Sequence, residues 1–282
     1  MRFLYVAPRY HTNQVPIIRG LKRKGHEVCF LSQYAGKVED YSDLTPTVIG
    51  YSRIFLFFDR IYVALMKNRD AYAGDRKMKC GFPPIGKLKR AIRDSHGDVA
   101  VLRERSVYSI CAYLLCKKYK IPAILYNQSP LWEDYIKNDP AHRLMRLLTP
   151  TVRMTPVMGV QDGRKVKEPG AAFVPFVMEP EQKAEEKRWI KDGITHIFSI
   201  GKYEERKNHR MLVEIVEELS AVSKIHLTIA GERTTSAHQA YYDRLAAYIA
   251  DHGLQDKVTL LVNLNRQQVA EQYRKADLFV IP

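Results

Sequence analysis

The sequence predicts an α/β protein made of two doubly wound, parallel-sheet domains, the second of them incomplete. Three observations carry this. A short apolar strand, an amphipathic helix and a second strand fill roughly the first thirty residues, the same alternation returns from Thr195 to the last residues, and the blocks are separated by an extended piece punctuated by Pro175 and Pro180. Strand–helix–strand units close with right-handed crossovers into parallel sheets, which gather ligands at the carboxyl ends of their strands. Extended proline-punctuated segments mark boundaries, so the domains are set at 1–175 and 176–282.

Length and composition agree. A chain of 282 residues suits two domains of about 100–200 residues each, and 46% apolar with 27% charged residues is ordinary globular material. The apolar run Phe3–Ala7 is too short for a secretory signal and is followed by Arg9. No stretch approaches the roughly 18–20 apolar residues of a spanning helix, so a cytoplasmic protein is expected. Cys29, Cys80, Cys111 and Cys116 form no CxxC pair and have no histidines at ligand spacing, which indicates neither a structural zinc site nor a disulfide framework. The net charge of +14 points to an anionic partner: nucleic acid, a membrane surface or a phosphorylated substrate. Against nucleic acid stands the absence of a recognition motif or an aromatic–basic repeat.

In chain order, the first unit is strand Phe3–Ala7, loop Arg9–Gln14, a helix to about Lys24 ended by Gly25, and strand Glu27–Leu31. The loop lacks the glycine-rich dinucleotide fingerprint, which counts against a nicotinamide or flavin enzyme. Tyr51–Asn68 has helical spacing, with Ile54, Phe58, Ile61 and Leu65 on one face and Phe55, Phe57 and Tyr62 widening it. A stripe this wide is expected in the core rather than in a membrane. Arg76–Arg93 then holds seven basic residues and no acidic one, which suits an anionic lipid surface or a solvated basic loop.

Strands Val99–Leu102 and Ala123–Tyr126 flank a helix over Val107–Tyr119. Their polar ends, Arg103, Glu104, Arg105 and Asn127, Gln128, Ser129, are expected side by side on the carboxyl edge. Trp132, Glu133 and Asp134 follow, either beginning a helix or lining a cleft. A short strand at Arg153–Val157, a polar connection Gly159–Gly170 and a charged helix Gln182–Lys191 complete the approach to the second block.

That block reads as strands Thr195–Ile200, Ile225–Ala230, Val258–Val262 and Leu278–Ile281, with helices from Asn208, over His238–His252 and over Gln267–Lys275. Met211, Ile215 and Leu219, beside Leu212 and Val216, are expected to pack on the sheet. The stretch Ser199–Glu214 joins a strand end to a helix through a turn carrying Gly201, Lys202 and Lys207. Free N–H groups at a helix start, the dipole and two cations make an anion site. An ordinary strand–helix connection with solvated lysines is the other reading.

Together these segments resemble the GT-B fold of glycosyltransferases, two Rossmann-like domains in sequence, and within it retaining glycosyltransferase family 4. GLKRKGHEV resembles that family's first helix and second strand, and VPFVMEP its interdomain segment. SIGKYEERKNHRMLVE resembles its phosphate turn, LTIAGE its IxGxG strand, and VTLLVNLNRQQVAEQYRKADLFVIP its ELxxLYxxADLFVxPS ending. The resemblance implies a metal-independent, cofactor-free enzyme moving a sugar from a UDP- or GDP-sugar to a glycan or lipid-linked acceptor in cell-envelope polysaccharide synthesis.

It assigns donor binding to Gly201, Lys202 and Lys207, to Glu232 at the end of LTIAGE, and to Val262, Asn263 and Leu264 around the base. Lys202 stands where the family has a phosphate-binding arginine. On the acceptor side it places Thr12, Asn13, Arg103 and Gln128, with Asn127 where the family has a histidine and His11 as its substitute. The expected partners are a nucleotide sugar, the acceptor and an anionic membrane touched peripherally through Arg76–Arg93, and not nucleic acid. The family's paired-glutamate segment would follow Pro282, so the chain is expected to be a piece of a longer protein. An inactive binding or scaffolding homologue, or a basic nucleic-acid-binding protein, is the alternative.

Overall fold

The computed structural model describes residues 1–36, 41–65, 77–78, 80–104, 107–131, 139–157, 170–176, 189–190 and 192–282. The chain divides into two compact units, Met1–Pro180 and Glu181–Pro282. Trp132, Glu133, Asp134, Arg105, Arg76, Lys79, nearly all of the Gly159–Gly170 connection and most of the expected helix Gln182–Lys191 lie outside the described residues.

The first unit holds strands β1 (Arg2–Ala7), β2 (Glu27–Ser32), β3 (Thr47–Val48), β4 (Val99–Arg103), β5 (Ala123–Tyr126), β6 (Arg153–Thr155) and β7 (Ala171–Phe173). They form one sheet in the order β3-β2-β1-β4-β5-β6-β7, with every pairing parallel. Its helices are α1 (Val15–Arg23), α2 (Arg53–Leu65), α3 (Ile85–Asp94), α4 (Val107–Lys118) and α5 (Pro140–Leu148). Strand β1 shows why both faces are covered. Its alternate residues Leu4 and Val6 join Leu88 and Ile92 of α3 and Tyr108, Ala112 and Cys116 of α4, while Tyr5 and Ala7 join Val15 and Ile18 of α1. A strand buried on both sides reads as a continuous apolar run, and RFLYVA does.

Beyond the sequence reading, the structure adds β3, β7, α3 and α5. The part of the basic segment after Pro84 is helical rather than a loop. Leu88 and Ile92 turn inward, leaving Lys87, Lys89, Arg90 and Arg93 exposed.

Helix α2 overturns the expectation that its wide stripe is core. Ile54, Phe57, Phe58, Ile61, Tyr62 and Leu65 are 42–78% exposed, and the buried residue of the helix is Asp59, at 4%. The inward face consists of half-buried Phe55, Leu56 and Val63 around Asp59. It is fixed by Lys77, whose Nζ lies 3.4 Å from Asp59 Oδ2, and by the Tyr51 and Phe55 rings, 5.6 Å apart. A buried carboxylate needs a partner, which Lys77 supplies on the inward side of the helix, opposite the apolar stripe.

The second unit holds β8 (Thr195–Ile200), β9 (Ile225–Gly231), β10 (Val258–Val262) and β11 (Leu278–Phe279), parallel in the order β10-β9-β8-β11. Helices α6 (His209–Leu219), α7 (Ser236–Asp251) and α8 (Arg266–Lys275) pack with it. Helix α7 starts at Thr235, whose hydroxyl accepts the His238 N–H at 3.1 Å, and α8 starts in an Asn265–Gln268 capping box. In α6 the expected stripe is displaced. Met211, Ile215 and Leu219 are exposed, and His209, Leu212, Val213 and Val216 face the core with Leu227 and Ile229 of β9. The helix is rolled by about one residue, which at 3.6 residues per turn is about 100°.

Candidate functional site

In the second unit β8, β9 and β10 are parallel neighbours, so their carboxyl ends meet at one edge. Three backbone bonds tie that edge together: Gly201 N–H to Ala230 O at 2.9 Å, Tyr203 N–H to Glu232 O at 3.3 Å, and Asn263 N–H to Gly231 O at 2.9 Å. Gly201, Lys202, Glu232, Val262, Asn263 and Leu264 are thereby gathered on adjacent strand ends. Fully buried Tyr203 plugs the floor and donates from its hydroxyl to Leu261 O at 2.8 Å and Ile229 O at 3.1 Å.

Lys207 is brought to the same turn. A Cβ on Gly201 would meet its Cδ at 3.1 Å and its Cγ at 3.2 Å, so the lysine stem lies across the glycine. Asn208 follows in the left-handed region, at φ 47°, a conformation asparagine tolerates. It opens α6, whose first N–H groups carry the positive end of the dipole. Lys202 Nζ lies 3.6 Å from Glu232 Oε2, and Glu232 Oε1 accepts the Thr234 hydroxyl at 2.8 Å. An ion pair this long and partly exposed is weak, so an arriving anion can compete for the lysine. Asn263, also in the left-handed region, closes its loop by accepting the Arg233 N–H at 2.8 Å.

The sequence reading missed His209. It is 1% exposed, with Nε2 3.2 Å from the Lys202 carbonyl oxygen and Nδ1 without a hydrogen-bond partner. Burial holds its pKa below the ordinary 6.5, so the ring is neutral and Nε2–H donates to the Lys202 carbonyl. The signal was a histidine at the first helical position, directly beneath the turn.

The carboxyl edge of the first unit holds the other candidates. His11 caps the turn Thr12–Gln14: its Nδ1 accepts the Asn13 N–H at 3.3 Å, and its own N–H donates to Gln14 Oε1 at 3.0 Å. That nitrogen is engaged in holding Thr12 and Asn13 at the end of β1. On the neighbouring β4 and β5, Arg103 donates to Gln128 Oε1 at 2.9 Å and stands 5.1 Å from the Tyr126 ring centre. Asn127 donates to Glu104 Oε2 at 3.3 Å and accepts the Ser129 N–H at 3.0 Å. Beneath it Glu104 is paired with Arg153, Nε to Oε1 at 2.8 Å, both side chains buried. The sequence named Glu104 only as a polar strand end and did not single out Arg153. Among the described residues no group of three or more His, Cys, Asp or Glu is placed to hold a metal ion, and no helix is long and apolar enough to cross a membrane.

This architecture is the GT-B fold of glycosyltransferases, two Rossmann-like α/β units in sequence. Residues 181–282, the second unit, match the model of the family described as Glycosyl transferases group 1. Among solved structures the chain is similar to a glycosyltransferase from Rickettsia africae at 13% identity and a TM-score of 0.64, covering 99% of this chain and 72% of that one. It is similar to an α,α-trehalose-phosphate synthase (UDP-forming) from Burkholderia vietnamiensis, at 11% identity and a TM-score of 0.58, over 99% and 76% of the two chains. A third is HepE from Anabaena in complex with UDP and glucose, at 11% identity and a TM-score of 0.59, over 100% and 74%. No curated protein matches the chain.

Proposed function

We propose that the protein is a glycosyltransferase that moves a sugar from a UDP- or GDP-sugar onto a glycan or lipid-linked acceptor, in cell-envelope polysaccharide synthesis. The observation that carries this reading is the Gly201–Lys202 turn with Lys207 laid across it at the start of α6, within the residues that match glycosyl transferases group 1. In the reaction the bond from the anomeric carbon to the phosphate oxygen breaks, the acceptor oxygen bonds to that carbon, and the acceptor's hydroxyl proton passes to solvent. The departing nucleoside diphosphate gains charge, which fixed cations and N–H donors stabilise. Lys202 and Lys207 supply the cations as point charges, without the bidentate geometry of arginine.

The loop Val262–Leu264 would hold the base, and the UDP in the HepE structure favours uracil. We assign the acceptor to the first unit, at the edge formed by Thr12, Asn13, Arg103, Asn127 and Gln128. We further propose transfer with retention and without metal or cofactor, by a cytoplasmic protein touching an anionic membrane through Arg76–Arg93. Calorimetric titration with UDP and GDP tests the donor site. Lys202→Ala combined with Lys207→Ala is expected to weaken binding by about tenfold or more, since a hydrogen bond to a charged group contributes about 1.5–3 kcal/mol. Unchanged affinity in the double variant removes the assignment.

A further inference from the structure

The outward stripe of α2 calls for an occupant. Ile54, Phe57, Phe58, Ile61, Tyr62 and Leu65 recur at three- and four-residue spacing, so they form one continuous apolar face. Soluble monomers rarely leave such a patch open. Exposed Phe82 and Ile85 continue it beside the start of the helix, because Ser52 N–H donates to Phe82 O at 2.8 Å and Lys87 Nζ to Val48 O at 2.7 Å.

Among the described residues of α2 and α3 the exposed charge is one-sided. Arg53 and Arg60 on α2 and Lys87, Lys89, Arg90 and Arg93 on α3 are exposed. The acids of these two helices are Asp59, buried against Lys77, and Asp94, paired with Arg93 at 2.8 Å. A second copy of the chain docking here by two-fold symmetry would bring two sets of like charges together. An anionic bilayer complements both features, taking aromatic and aliphatic side chains among its acyl chains while its headgroups meet the cations.

We propose that α2 is a membrane-inserting interfacial helix, lying in the plane of an anionic bilayer with Phe57 and Phe58 below the headgroups and α3 held electrostatically above them. This rests on the membrane contact proposed above and moves its principal element from the basic segment to α2. It gives the buried Asp59 a purpose: its pairing with Lys77 marks the inward side of the helix and leaves the wider apolar face available to lipid.

Flotation with vesicles of phosphatidylcholine, alone or mixed with phosphatidylglycerol, tests the proposal. The protein is expected to float with the mixed vesicles and not with phosphatidylcholine alone. Phe57→Ser with Phe58→Ser is expected to lower that partition about tenfold or more, in line with the dependence of interfacial binding on apolar area. Phe57→Trp should show a blue-shifted emission on the mixed vesicles. If the serine variant floats like the parent, or the new tryptophan stays water-exposed, α2 does not insert. Loss of binding in Lys89→Glu with Arg90→Glu alone, the phenylalanine variants being unaffected, leaves the basic contact and overturns the inference. A dimer that these serine substitutions dissociate, with no vesicle binding, makes the face a self-interface and overturns it as well. UDP affinity of the serine variant is expected to match the parent, so a failed donor site and a failed membrane helix give different results.

Discussion

A side-chain carbon on Gly231 would sit 2.5 Å from Cε2 of Tyr203, so the last residue of β9 and the phenol beneath the phosphate turn occupy one space. The contact decides how closely the turn approaches the sheet. With glycine at 231, Tyr203 slides under Gly201 and reaches the carbonyls of Ile229 and Leu261. Any larger residue lifts the phenol and the two lysines with it.

Gly231→Ala is therefore expected to destabilise the protein by about 1–3 kcal/mol, the usual cost of overpacking a filled site. Chemical denaturation of the variant measures this. UDP affinity should fall in the same variant, because the turn that carries Lys202 rests on the displaced ring.

Gly201→Ala separates position from stability. The new methyl group meets the flexible Lys207 stem at 3.1–3.2 Å rather than backbone, so the lysine swings aside at a stability cost of about 1 kcal/mol or less. Titration with UDP is expected to show a loss approaching that of Lys207→Ala, while the thermal midpoint stays close to the parent's.

The Glu104–Arg153 pair gives a contrasting case. Arg153→Met leaves a buried carboxylate without its partner, and breaking a buried pair from one side costs about 3–5 kcal/mol. Glu104→Gln combined with Arg153→Met should recover part of that loss. A double variant no more stable than Arg153→Met would show that the arginine acts through its bonds to Thr149 rather than through the pair.

His209 predicts a pH dependence whose sign follows from burial. Its folded pKa lies below the ordinary 6.5, so the unfolded chain takes up the proton first as pH falls. The stabilising contribution is complete above about 6.5 and shrinks as pH falls from there toward the lowered folded value. Urea unfolding at pH 7.5 and 5.0 should show a smaller loss for His209→Gln, which keeps a donor near the Lys202 carbonyl without the titration. An equal loss in both proteins would place the acid sensitivity elsewhere.

Much of the second unit could be read from residues alone. Four apolar strands alternating with three helices imply a parallel sheet, and a parallel sheet puts its loops at one edge. The resemblance to glycosyltransferases named Gly201, Lys202, Glu232 and Asn263 together, and the parallel sheet sets the strand ends that carry them at that edge. The supports beneath them were not readable in the same way. Tyr203, His209 and Gly231 matter through contacts between β8, β9 and α6, and nothing in the local pattern distinguishes a tyrosine plugging a turn from one on the surface. The same holds for Arg153, which the sequence presents as an ordinary strand start and the fold pairs with a carboxylate 49 positions earlier.

Periodicity within the chain established that α2 and α6 are helices and which residues share a stripe. It left open which stripe faces inward, because spacing along a helix is unchanged when the helix is rolled about its axis. That choice fell to partners far away in sequence. Leu227 and Ile229 meet Leu212, Val213 and Val216 on the inward side of α6, and Lys77 meets Asp59 on the inward side of α2, with Phe57 and Phe58 on the outside.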